Sequence, residues 1–179
     1  VATTVFLLRN GQMDELSPPN KLAANLCPCA PPDPRDCVCG AADRRRYRSR
    51  LSGPLLDRVD LRVEMHASRA GSFSTDDGES TSAVRERVWS ARRAAEERWR
   101  PYGYATNAEV SGALLRRRFR PGGEAMKPIQ TAVDRGALSI RGMDRTVRVA
   151  WTLCDLAGRA VPNIDDVARA LSFRQSGAH

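Results

Sequence analysis

From residue 82 onward the apolar positions recur at helical spacing. Val84, Val88, Ala91, Ala95 and Trp99 lie three or four apart behind Thr81 or Ser82 as N-cap, which predicts a helix. A second helix is expected over about 107–119, with Val110, Leu114 and Leu115 inward. Pro121-Gly122-Gly123 separates it from a third, about 124–135, which Gly136 ends at the position favoured for a left-handed residue. Ser139 caps a longer helix over about 140–157, with Val147, Ala150, Trp151, Cys154 and Leu156 along it and Gly158 as its stop. Pro162-Asn163 introduces a last short helix near 165–173. Five helices with short connections predict a small all-α bundle.

The first part of the chain reads differently. Val5-Phe6-Leu7-Leu8 has strand character, but Asn10-Gly11 and Ser17-Pro18-Pro19-Asn20 are breakers, and little order is expected over 1–21. Leu22-Ala23-Ala24-Asn25 predicts a short buried strand leading into a Pro-rich loop over 26–40. A basic helix is expected over 44–50, ended by Ser52-Gly53-Pro54. Leu61-Arg62-Val63-Glu64-Met65 alternates with period two, a half-buried strand. The stretch 71–82, rich in Ser, Asp and Gly, predicts a linker between a region at 22–70 and a helical domain at 83–179.

Composition adds bounds. With 41% hydrophobic and 28% charged residues among 179, the chain is globular in character. No apolar run approaches the roughly 20 residues that span a bilayer, and Val5–Leu8 is interrupted by Arg9, so no membrane partner and a cytoplasmic location are expected. The net charge of +8 is unevenly placed: residues 1–81 carry 11 basic and 11 acidic groups, residues 82–179 carry 18 and 10. Only Lys21 and Lys127 of the 29 basic residues are lysines, which fits either a GC-rich coding sequence or a use of guanidinium chemistry.

The most specific local pattern is Cys27-Pro-Cys29 followed by Cys37-Val-Cys39. Tetrahedral zinc needs four soft ligands about 2.3 Å from one point, and two close pairs joined by a Pro-rich loop supply that number. Four thiolates close the coordination shell, so such a zinc would be structural. The other reading is a loop of reduced thiols.

Ala23-Ala-Asn-Leu-Cys-Pro-Cys29, Cys37-Val-Cys39, Tyr47 and Arg50-Leu-Ser-Gly-Pro-Leu-Leu-Asp-Arg-Val-Asp-Leu61 form an ordered series with Leu138-Ser-Ile-Arg-Gly142 and Arg145-Thr-Val-Arg-Val-Ala-Trp-Thr-Leu-Cys-Asp-Leu156. Together they resemble the C-terminal portion of the magnesium-chelatase-like AAA+ ATPases, in the branch that contains ComM and YifB, over about 22–174. The resemblance implies an α/β remnant of an AAA+ core over 22–70 followed by an all-α helical lid, the whole predominantly α. It implies that Asn25 is the sensor-1 asparagine, that Arg58 is the arginine finger reaching a neighbouring subunit's ATP, and that Arg141, with Arg145 as second choice, is the sensor-2 arginine of the lid. Taken without it, Asp57, Arg58 and Asp60 make an ordinary surface ion-pair cluster, and Arg141, Arg145 and Arg148 a helix-surface series.

Neither lysine follows a glycine, so no Gly-x4-Gly-Lys-Ser/Thr phosphate loop is present, and Asp14-Glu15 lacks the apolar strand of a Walker B pair. The expectation is therefore a fragment that neither binds ATP tightly nor hydrolyses it alone. Its ATP and Mg2+ would come with a missing N-terminal half or a partner subunit in a homo-oligomeric ring, a hexamer when full length. The branch implies ATP-driven work on DNA such as branch migration; the chelatase branch implies metal insertion. The competing reading is a free-standing basic module binding nucleic acid through Arg116-Arg117-Arg118 and Arg120 with Phe119 and Tyr102 nearby, and an ordinary solvated helix end accounts for the same cluster. A poorly folded truncated product is the third.

Overall fold

A computed structural model describes residues 4–9, 20–24, 29, 36–50, 59–65 and 78–175. The chain forms two compact units, one over 1–75 with the last residues from 175, the other over 76–174. Helix predominates among the described residues, and none of their helices is long and apolar enough to cross a membrane.

The first unit holds a three-stranded sheet in the order β2-β1-β3, made of β1 (Thr4–Arg9), β2 (Asn20–Ala24) and β3 (Leu61–Met65). Both ladders are antiparallel. Val5 faces Ala24 and Glu64 across the two registers, and Leu8 faces Lys21 and Leu61. The weak strand signal at Val5–Leu8, in a stretch expected to show little order, is thus the central strand. Its hydrogen-bonding partners, remote in sequence, supply what its local pattern lacks. The predicted strand at 22–25 begins two residues earlier, at Asn20, and β3 coincides with the alternating run. Helix α1 (Ala41–Ser49) starts three residues before the expected basic segment.

The second unit is built from α2 (Thr81–Trp99), α3 (Gly112–Arg118), α4 (Gly123–Asp134), α5 (Ile140–Leu156) and α6 (Ile164–Gln175). Ser80, rather than Thr81 or Ser82, caps α2, accepting a hydrogen bond from the Ala83 amide. Helix α3 is shorter than predicted because Ser111 caps it, accepting from the Leu114 amide. At α6, Asn163 and Asp166 exchange side-chain-to-amide hydrogen bonds of 2.9 and 3.0 Å, a reciprocal cap. Gly136 and Gly158 both adopt positive φ after α4 and α5. At the second, the Arg159 amide donates to the Cys154 carbonyl at 3.0 Å, the 6→1 bond that closes a helix C-terminus.

The core of this unit is aromatic at its centre. Trp99 is wholly buried, with Phe119 edge-on at 4.5 Å between ring centres and Trp151 at 5.8 Å. Tyr102 packs on Phe119 at 5.3 Å. Such edge-to-face pairs contribute about 0.5–1.5 kcal/mol each beyond their area. Val110, Leu115, Ile129, Val147, Ala150, Val167 and Ala170 complete the interior. On α2 the inward stripe is half-buried at Val88 and fully buried from Ala91 onward; Val84, expected inside, is exposed.

Candidate functional site

The first turn of α5 carries Arg141, with Arg145 one turn further on. Ser139, in extended conformation, accepts from the Gly142 amide at 2.9 Å, which fixes where the helix begins. No acidic residue follows in that turn, so its free amides and partial positive charge stand uncompensated beside Arg141. Gly142 is buried, and a Cβ there would come within 2.7 Å of Leu138 Cδ1, so the glycine lets the turn settle on Leu138. Arg141 is exposed and has no hydrogen bond or ion pair among the described residues. Arg145, one turn on, is half-buried and engaged within the fold. Arg148 is a structural residue: its Nε and Nη2 donate to the Val110 carbonyl at 2.9 and 2.7 Å.

The cluster around Arg116–Arg120 is rearranged relative to the sequence expectation. Arg116 donates to Asp144 Oδ1 at 2.6 Å, tying α3 to α5. Gly112 permits this approach, since a Cβ there would overlap the Asp144 carboxylate. Phe119, expected beside nucleic acid, is turned into the core against Trp99 and Trp151, and its carbonyl accepts from Trp151 Nε1 at 3.0 Å. Tyr102 stacks on Phe119 and lies near Arg118. The two aromatics therefore serve packing, while Arg117 and Arg120 remain exposed.

A buried polar network went unread in the sequence. Asp155, whose side chain is 1% exposed, receives both terminal nitrogens of Arg98. Asn107 Oδ1 accepts from Trp99 Nε1 at 2.7 Å, and its Nδ2 donates to Asp155 Oδ2 at 2.9 Å and Thr152 Oγ1 at 3.1 Å. The Arg98 guanidinium also lies 4.1 Å from the Trp151 ring centre. Asn107, expected at a helix start, is recruited here instead; only the pairing of Trp99 with a nearby amide was available as a signal. Also missed was a solvent-facing surface of α2, where Arg85, Trp89, Arg92 and Arg93 share one helical face at i, i+4, i+7 and i+8. Trp89 is 59% exposed, and Glu86, Glu96 and Arg100 flank it.

Two titrations are displaced. Burial, then the nearby Asp155 and Asp166 carboxylates, raise the Cys154 thiol above its ordinary value. The hydrogen bond to Asp166 raises Arg159. Cys154 donates to the Arg159 carbonyl at 3.1 Å, so it is an inert structural thiol.

In the first unit, the Sγ atoms of Cys29, Cys37 and Cys39 all lie within 4.8 Å of one another. Cys27, Asn25 and Arg58 lie outside the described residues. Val59, next to Arg58, is 4% exposed, and Asp60 is half-buried.

Residues 78–174 match the family description "Magnesium chelatase, subunit ChlI C-terminal", and residues 20–73 match "Magnesium chelatase, subunit ChlI". The chain is 71% identical over 157 residues to an uncharacterized protein of Mycobacterium tuberculosis and to one of Mycobacterium bovis, covering 88% of this chain and 31% of each relative. It is 32% identical over 131 residues to the competence protein ComM of Haemophilus influenzae, covering 72% of this chain and 25% of that protein. With YifB of Escherichia coli it shares 30% identity over 138 residues, covering 76% and 26%. The chain thus spans under a third of the length of these relatives. Two adjoining domain matches and relatives that agree with them lead to one conclusion: the chain belongs to the magnesium-chelatase-like family, in the branch that contains ComM and YifB.

Proposed function

We propose that the chain is the C-terminal part of an ATP-driven AAA+ motor that works on DNA. Residues 22–70 are the end of its nucleotide-binding core, 71–82 a linker, and 83–179 its lid. The observation that carries this reading is Arg141: an exposed guanidinium in the first turn of a 17-residue helix, with no carboxylate in that turn. Arg98, Arg116, Arg148 and Arg159 all serve other groups within the fold, and Arg145 is engaged. Of the three arginines on α5, Arg141 is the one left exposed to face a phosphate, so it takes precedence over Arg145 as sensor 2.

Phosphoryl transfer is governed by positioning and by neutralising charge as it spreads over the γ-phosphate. In this reading Arg141 holds the nucleotide phosphates from the lid. Asn25 orients the attacking water, and Arg58 completes the site of the neighbouring subunit in a ring. Without a Gly-x4-Gly-Lys-Ser/Thr loop the chain has no cradle of its own for the phosphates, so ATP and Mg2+ are held together with the remaining length of the motor or a partner subunit.

DNA as the substrate is supported by the charge excess after residue 82 and by the Arg85, Trp89, Arg92 and Arg93 face of α2. An exposed indole between guanidinium groups offers a base a stacking surface and its phosphates a counter-charge. The same face sustains the alternative, a free-standing nucleic-acid-binding module, because it needs no ATP.

The test is a chimera in which residues 22–174 replace the matching segment of the Mycobacterium tuberculosis relative. DNA-stimulated ATP hydrolysis that Arg141→Ala abolishes, with DNA binding kept, supports the motor. Hydrolysis indifferent to Arg141 overturns the lid assignment, and salt-sensitive DNA binding without hydrolysis favours the module.

A further inference from the structure

We infer that Cys29, Cys37 and Cys39 form a structural zinc site in the first unit, independent of the nucleotide chemistry. Zinc bound by thiolates sits about 2.3 Å from each sulfur in tetrahedral array, which places any two sulfurs about 3.8 Å apart. Cys29 Sγ and Cys37 Sγ are 3.7 Å apart, and the Cys39 sulfur is within 4.8 Å of both. The 3.7 Å between Cys29 and Cys37 is far beyond the sulfur–sulfur bond of a disulfide, about 2.05 Å. The three sulfurs stand close enough together for one ion to take all of them as ligands.

The donor set and its surroundings fit that ion. Three thiolates with no carboxylate or imidazole among them select a soft, tetrahedral metal over magnesium or calcium. Each thiol gives up its proton as its sulfur takes the metal, leaving three thiolates and one dication, a net charge of −1. Helix α1 begins at Ala41, two residues past Cys39, and carries Arg44, Arg45, Arg46 and Arg48. Its amino end, the positive pole of the helix dipole, suits a metal cluster of net negative charge at that position. Cys37 and Cys39 are half-buried while Cys29 is exposed, so the ion would be reachable from solvent through Cys29. The fourth corner takes one further donor.

The site also accounts for a loop that the functional reading leaves idle. Cys29 and Cys37 are eight residues apart in sequence, and a metal held by both ties the two ends of that span together.

The full chain, expressed with ample zinc and purified without chelator under a phosphine reductant, is expected to carry about one zinc per molecule by elemental analysis. Cys37→Ser and Cys39→Ser each lower that content at least about tenfold, whereas Cys154→Ser, in the other unit, leaves it unchanged. Because a substituted loop can lose metal by misfolding, the wild-type chain is also stripped and titrated with Co2+. Intense thiolate-to-cobalt charge-transfer bands saturating at one equivalent, with helical circular dichroism unchanged, support the site. Zinc-free protein from replete cells with no such bands overturns it, as does a Cys37→Ser variant that retains zinc at the wild-type level.

Discussion

Arg98 and Asp155, 57 residues apart, meet in a two-pronged ion pair that leaves the Asp155 side chain almost wholly buried and the Arg98 side chain 14% exposed. The pair joins α2 to α5 across the aromatic centre of the helical unit. Removing one partner strands the other charge away from water, at a cost of about 3–5 kcal/mol. Asp155→Ala is therefore expected to lower the stability of this unit by about 3 kcal/mol, read as a shifted urea midpoint in circular dichroism. Little or no shift would show that solvent reaches Arg98 once its partner is gone.

Asn107→Ala probes the same network from its neutral member. It leaves the Trp99 indole N–H without its acceptor inside the core, a loss of about 1–3 kcal/mol. Asn107→Asp is expected to be worse at neutral pH, because it sets a second carboxylate beside Asp155, and to recover as the solution is acidified. Equal stability of the two variants across pH would exclude that electrostatic account.

Gly158→Ala tests the end of α5. The residue holds φ near +65°, and a side chain there costs about 1 kcal/mol. Gly123→Ala, in the first turn of α4 with open space at its Cβ and no positive φ, serves as the control and is expected to change stability by less than half as much.

Cys154 gives a pH dependence with a definite sign. Its folded thiol holds its proton more tightly than the unfolded thiol, whose ordinary value is 9.0. Below that pH both states are protonated and the thiol contributes no slope. Above it the unfolded chain binds fewer protons, so stability falls until the folded thiol also ionises. Wild-type protein should lose stability above about pH 9 relative to Cys154→Ala, and its Cys154 should resist thiol reagents until the unit unfolds. Parallel stability curves for the two proteins would contradict the buried thiol.

For the motor reading, Arg58→Ala in the chimera is expected to lower ATP turnover by about 10³-fold while ATP binding persists, the signature of a finger acting in the transition state. Arg141→Ala should weaken nucleotide binding as well. For DNA, Trp89→Ala and Arg93→Ala should weaken oligonucleotide binding measured by fluorescence anisotropy, and Arg93→Ala should flatten its dependence on salt by about one phosphate contact. A binding constant indifferent to salt would remove DNA from the proposal.

The helical unit was legible wherever local chemistry decides the outcome. The caps Ser139 and Gly136, the breakers around Gly122 and the stripe Val147, Ala150, Trp151 and Cys154 lie where periodicity put them. Legibility failed where distant contacts decide. Asn107 reads as a helix start until Trp99 and Asp155 claim its amide, and Phe119 reads as a surface aromatic until the Trp99–Trp151 cleft receives it. Strand β1 is weak by itself and central by its partners. Of the candidate sites, the cysteine cluster was suggested by its spacing, whereas the exposure of Arg141 became visible only in three dimensions. A helical pattern marks which arginines share a face, but not that Arg148 is spent on the Val110 carbonyl.

The placement of the three tryptophans gives the protein an optical reporter of its own. Trp99 and Trp151 are 0% and 4% exposed, whereas Trp89 stands 59% in solvent on α2. A soluble quencher such as iodide would extinguish the red-shifted emission of Trp89 and leave the blue emission of the core pair. Occupancy of the α2 face and melting of the interior can therefore be followed separately in one unlabelled sample.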